Sequence, residues 1–138
     1  TEEGRRVIGI DTNVLLRMVL NDDAEQQAKA IVFGSHLSED RPGFVSLIVL
    51  VEFSWALISR YGLSKNEVLA AVQRLLKVKT LVFEDFDAIV VALETSALPQ
   101  ADFADALIAE HNRNLGCSHT VTFDQRAAKS VAGMELLA

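Results

Sequence analysis

The chain has 138 residues, half of them hydrophobic, with seven glycines and a formal net charge of −6. That length suits one domain with a real core, and the composition excludes a disordered chain. The acidic balance argues against a protein that grips nucleic acid mainly through a basic surface.

A single cysteine, Cys117, excludes an internal disulfide and a cysteine-based zinc cage. No apolar run approaches the roughly 20 residues that span a bilayer. The opening TEEGRRVIGID has no apolar core of a secretory signal, so a cytoplasmic protein without a membrane partner is expected.

In chain order, RVIGI (6–10) predicts a short strand ending at Asp11. A helix follows to Leu20, and a second runs from about Asp22 to His36. GFVS (43–46) predicts a buried strand, with Ser46 as cap of a helix reaching about Arg60. Ser64 and Glu67 form the S-x-x-E pattern of a capping box, opening a helix to about Lys77. TLVF (80–83) predicts a third strand, and Asp85 and Asp87 suit the first turn of the next helix. ADFADALIAEHNRN is helical and stops near Gly116. SHTVTF (118–123) predicts a fourth strand, DQRAAKSVA a short helix and MELL a fifth strand. Strands alternating with helices imply an α/β fold with a parallel sheet. In such a sheet the functional crevice lies at the carboxyl ends of the strands.

Four acids fall near that edge. Asp11 follows the first strand and Asp124 the fourth, while Glu52 and Asp105 lie on helices among apolar neighbours. At helical spacing Glu52 is flanked by Ile48, Val49, Trp55 and Ala56, so it is expected to face the core. An isolated buried carboxylate costs several kcal/mol or takes up a proton. A divalent cation removes that cost: Mg²⁺ and Mn²⁺ favour oxygen ligands, retain waters and support phosphodiester hydrolysis. Arg17, Arg113 and Arg126 are alternative counter-charges for the acids other than Glu52. Asp11, Asp102 and Asp124 also read, singly, as helix N-caps.

At these residues the sequence resembles a PIN domain, most closely the VapC-like toxins of bacterial toxin–antitoxin pairs. The matching segments are IGIDTNVLLRMVLND (8–22), VSLIVLVEFSWAL (45–57), ADFADALIA (101–109) and TVTFDQ (120–125). The resemblance implies a single PIN domain over residues 1–138, an α/β three-layer sandwich with a five-stranded parallel sheet flanked by helices. It also implies a Mg²⁺- or Mn²⁺-dependent endoribonuclease. The catalytic quartet would be Asp11, Glu52, Asp105 and Asp124, with Asp11, Asp105 and Asp124 on the metal and Glu52 orienting the attacking water. Asn13, Asp102 and Thr122 match auxiliary positions. Implied partners are the RNA substrate, a cognate antitoxin and a second copy in a homodimer.

Arg17, two turns past Asp11, is the best-placed residue for holding substrate. Arg60, Arg74, Lys77 and Lys79 read as a flanking patch or simply as a solvated face. Trp55 reads as core or dimer packing, and "RYGL" (60–63) as a helix stop. The histidines His36, His111 and His119 lack metal-ligand spacing. A haloacid-dehalogenase pattern wants an acid where Asn13 stands, and Walker A and dinucleotide-binding glycine patterns are absent. The competing reading is a non-catalytic antitoxin-binding or regulatory module with a structural metal site.

Overall fold

The structure, a computed structural model, describes residues 6–137, so the first five residues of the TEEGRRVIGID opening lie outside it. The chain divides after Glu84 into two compact units. Among the described residues no helix is long and apolar enough to cross a membrane.

The first unit runs β1 (Ile8–Gly9), α1 (Thr12–Val19), α2 (Ala24–Ser35), β2 (Gly43–Val45), α3 (Leu47–Ser59), α4 (Lys65–Leu76) and β3 (Leu81–Phe83). Each helix starts at a side chain that accepts from an otherwise unpaired backbone N–H. Asp11 caps α1, Asp23 caps α2, Ser46 caps α3, and Ser64 with Glu67 closes the expected capping box on α4. Glu84 adds a second acceptor at the start of α3, where the Leu47 N–H donates to its Oε1 at 2.9 Å. Helix α3 ends where expected, with Gly62 in the left-handed region at φ 67°.

Strand β2 is central, pairing in parallel with β1 (Ile8 opposite Gly43) and with β3 (Gly43 opposite Leu81). The core is built from Leu15 and Leu16 of α1, Leu50, Phe53 and Leu57 of α3, and Val68 and Val72 of α4. Helix α1 packs on α2 and α3, and α3 on α4.

The second unit runs α5 (Phe86–Ser96), α6 (Phe103–Asn114), β4 (Thr120–Thr122), α7 (Gln125–Ser130) and β5 (Met134–Leu136). Strands β4 and β5 pair in parallel, Thr120 opposite Met134. Helices α5 and α6 pack closely through small side chains, with Ala88, Ala92, Ala104 and Ala106 all buried.

Asp85 fastens this helix pair. It sits in the left-handed region at φ 52°, accepts the Ala88 N–H at 3.3 Å, and has His111 Nδ1 2.9 Å from its Oδ2. The Asn114 amide donates to both of its oxygens. Burial pushes the Asp85 carboxyl upward, but the bonds from His111, Asn114 and the Ala88 amide outweigh it and hold it below the usual aspartate range.

The α/β architecture with parallel strands is as expected, but a single five-stranded sheet is not evident among the described residues. The strands make two parallel sheets, of three strands and of two. Each ladder spans only two or three residues. The chain then turns at once into a helix cap, as at Asp11 after β1 and at Asp124 after β4, leaving little strand for further pairing.

Gly43 shows how tight the central strand is. A Cβ there would stand 2.5 Å from Ile10 Cδ1, 3.1 Å from Leu81 Cδ2 and 3.2 Å from Leu37 Cδ1, all on buried side chains. Gly43→Ala is expected to destabilise the fold by about 1–3 kcal/mol through overpacking, measured by urea unfolding. An unchanged midpoint would show that the three side chains yield without cost.

Candidate active site

Asp11 stands at the carboxyl end of β1, exposed, with Oδ1 accepting the Thr12 N–H at 2.8 Å. Capping occupies one oxygen; no bond to Oδ2 occurs among the described residues, so the capping and ligand readings are compatible. Asn13 is exposed on the first turn of α1.

Glu52 corrects an expectation. It is exposed, not core-facing. Helix α3 is apolar nearly all round, and two of the neighbours that suggested burial lie outside as well: Ile48 is 74% exposed and Trp55 54%. Apolar neighbours therefore mark an apolar exterior here, and Trp55 is not a core residue. What fixes Glu52 is Thr12, whose buried hydroxyl donates to its Oε1 at 2.9 Å. Thr12 follows Asp11 directly, so one residue of α1 ties the two acids of the first unit together.

Arg17 is mostly covered, and its guanidinium is already engaged. It forms an ion pair with Asp22, donates to the Tyr61 hydroxyl at 2.9 Å, and lies 5.9 Å from the Tyr61 ring centre. These hydrogen bonds, Asp22 first, raise the guanidinium pKa, and Arg17 lowers that of Asp22. Its Nε is buried without a partner among the described residues. A cavity of about 510 Å³ opens alongside, lined by Asp11, Asn13 and Arg17 on one side and by Gln26, Lys29 and Phe33 of α2 on the other.

In the second unit Asp102 caps α6, accepting the Asp105 N–H at 3.0 Å. Asp124 caps α7, accepting the N–H groups of Arg126 at 2.9 Å and Ala127 at 3.1 Å through Oδ1. Thr122 Oγ1 accepts the Asp124 N–H at 3.0 Å and so fixes the backbone that carries this acid. Asp105 lies half-buried on the first turn of α6. Burial raises its carboxyl pKa above the usual aspartate range, and the charges of Asp102 and then Asp124 raise it further. Two acids of this unit thus act on a third. A second cavity, of about 570 Å³, is lined by Gln100, Asp124, Gln125, Arg126 and Lys129.

Compared with known protein families, residues 8–133 match the PIN domain. The chain belongs to the PIN domain family. PIN domains are generally nucleases, and all four expected catalytic acids of this one fall inside the matched span. The comparison with curated proteins found no match.

The expected acids would offer oxygen donors only, a chemistry that suits hard cations such as Mg²⁺ or Mn²⁺ rather than zinc. Among the described residues no three His, Cys, Asp or Glu side chains are grouped closely enough to form a ready-made metal site. The fit to a cation rests on the unbalanced charge around Asp105.

Sequence reasoning passed over Thr12, Tyr61 and Lys29. The hydroxyl beside Asp11 was visible in DTNVLL, but its bond to a residue 40 positions away carries no local signal. Tyr61 lies in the expected helix stop, and its second duty, holding Arg17, needs the fold to be seen.

The sign of the Asp105 shift makes a prediction. The folded state keeps this proton to a higher pH than the unfolded chain. Stability therefore falls as pH rises from the ordinary aspartate range through the raised Asp105 pKa, and stays lower above it. In EDTA at neutral pH, Asp105→Asn is expected to melt a few degrees higher than wild type, the gap closing near pH ~4. A lower melting temperature for the variant, or a gap independent of pH, contradicts the charge crowding described here.

Proposed function

We propose that this PIN domain is a metal-dependent endoribonuclease and the toxin of a toxin–antitoxin pair, its two units acting as one domain. The reading is carried by the Asp105 carboxyl, half-buried on the first turn of α6 with the charges of Asp102 and Asp124 acting on it, a burden that a cation would relieve, in a chain whose family is generally of nucleases.

Asp11, Asp105 and Asp124 would hold Mg²⁺ or Mn²⁺. When bound, such an ion supplies a Lewis acid against a phosphate oxygen and makes water a nucleophile near neutral pH. Glu52, held by Thr12, would accept a hydrogen bond from the attacking water and orient it in line with the bond to the 3′ oxygen, leaving a 5′ phosphate. Asn13 and Thr122 would position the first and last acids, and Asp102 would keep α6 capped so that Asp105 stays on its first turn.

The partners proposed are the RNA substrate, a cognate antitoxin and a second copy of the chain. The protein partners are supported by apolar side chains on the outside, Ile48, Trp55 and Ile58 on α3 and Ile31 and Val32 on α2. The same residues are what favours the alternative, a non-catalytic binding module in which a metal serves folding alone.

RNA cleavage separates the two. Activity is expected to vanish in EDTA, to return with Mg²⁺ or Mn²⁺, and to fall about 100-fold or more in Asp11→Asn and Glu52→Gln, as loss of charge-stabilising groups does elsewhere. Both variants folding normally and cutting at the wild-type rate would sink the catalytic assignment. Sequencing the 5′ ends of fragments after induced expression would identify the RNA, and a uniform background would favour the binding module.

A further inference from the structure

The cavity beside α1 is not accounted for by the acids alone. Of its polar residues only Asp11 belongs to the proposed quartet; Asn13, Arg17, Gln26 and Lys29 do not. Its volume, about 510 Å³, lies within the ~300–1,000 Å³ of small-ligand pockets. We propose that it is a nucleotide subsite, taking one ribonucleotide of the substrate next to the phosphate that is cut. The position relative to the cut rests on the nuclease reading above, whereas the ligand class rests on the cavity walls.

Three properties of the walls point to a nucleotide. Phe33, partly exposed, offers an aromatic face, and base–aromatic stacking is worth about 1–3 kcal/mol. Asn13 and Gln26 are exposed amides on the two helices that line the cavity, each with donors and an acceptor, as the edge of a base requires. Lys29 supplies the positive charge for a phosphate.

The choice of Lys29 over Arg17 follows from what each already touches. Arg17 is held by Asp22 and Tyr61 together, and a phosphate would have to break that arrangement. Among the described residues the Lys29 Nζ is paired with Glu25 at 3.6 Å, one helical turn back, with both side chains more than three-quarters exposed. A pair of that kind is worth a few tenths of a kcal/mol, so a phosphate displaces Glu25 readily. Arg17 is then a positioning residue that keeps the wall of α1 in place, and Lys29 is the contact. Gln26, on α2 with Lys29, becomes the residue that reads which base enters.

The test uses the full chain in EDTA, so that binding is read without turnover. The four ribonucleoside 5′-monophosphates are titrated into ¹⁵N-labelled protein. Amides of α1 and α2 are expected to shift with a preference among the four bases, and Lys29→Glu and Phe33→Ala each to weaken binding at least 5-fold. Lys29 and Gln26 are exposed, so their variants report on binding even if Phe33→Ala loosens the fold. With metal restored, Gln26→Ala is expected to broaden the base preference beside the 5′ ends.

No shift with any nucleotide at millimolar concentration overturns the subsite. So does cleavage whose base preference is unchanged in both Lys29→Glu and Gln26→Ala; the nuclease reading then stands without it. Nucleotide binding that Lys29→Glu abolishes, in a protein that cuts no RNA, supports the subsite and removes the nuclease reading. Shifts of the same amides with an apolar peptide and with no nucleotide would make the cavity a protein contact and overturn the proposal.

Discussion

Burial and neighbouring negative charge disfavour ionisation at one carboxylate, Asp105. Asp105 is half-buried on its helix with Asp102 and Asp124 acting on it, and each ionised neighbour makes its own ionisation harder. The protein keeps the group there although Asn would fit the same helix. Burial and the two neighbouring acids all raise its pKa, and no cationic side chain among the described residues lowers it. The positions of Thr122, the Asp124 cap and the Asp102 cap are intelligible as ways of holding those acids still while the cost persists.

Capping and chemistry share the same side chains. Asp11, Asp102 and Asp124 each begin a helix, and each uses one carboxylate oxygen on the backbone. A carboxylate has two oxygens with room for about four contacts, so a backbone bond to one oxygen restrains the rotamer without using up the group's capacity as an acceptor. The arrangement makes rigidity a by-product of helix initiation. Glu52 lacks a cap of its own to form, and its orientation comes instead from the Thr12 hydroxyl.

Much of this could be read before any coordinates. The helix starts followed from local rules, because caps and the Ser64–Glu67 box act over three residues and owe little to the rest of the chain. The acids were visible from their places after strands and near helix starts. The inward direction inferred for Glu52 was wrong, since an apolar helix surface has the same local pattern whether it meets the core or faces outward. Sheet composition was less legible: residue pattern marks strands but not which strand each one pairs with. Contacts across long separations, Thr12 with Glu52 and Arg17 with Tyr61, left no trace in spacing at all.

Asp85 carries a consequence for how the sequence can vary. Its left-handed backbone is open to glycine and, at modest strain, to asparagine and aspartate, while other side chains clash with their own carbonyl. Glycine there would forfeit the oxygens that meet Ala88, His111 and Asn114. Asparagine keeps one of them and loses the charge. Drift at this site is therefore nearly closed by backbone geometry and these local bonds together, and an invariant aspartate here in related chains would be no sign of catalysis.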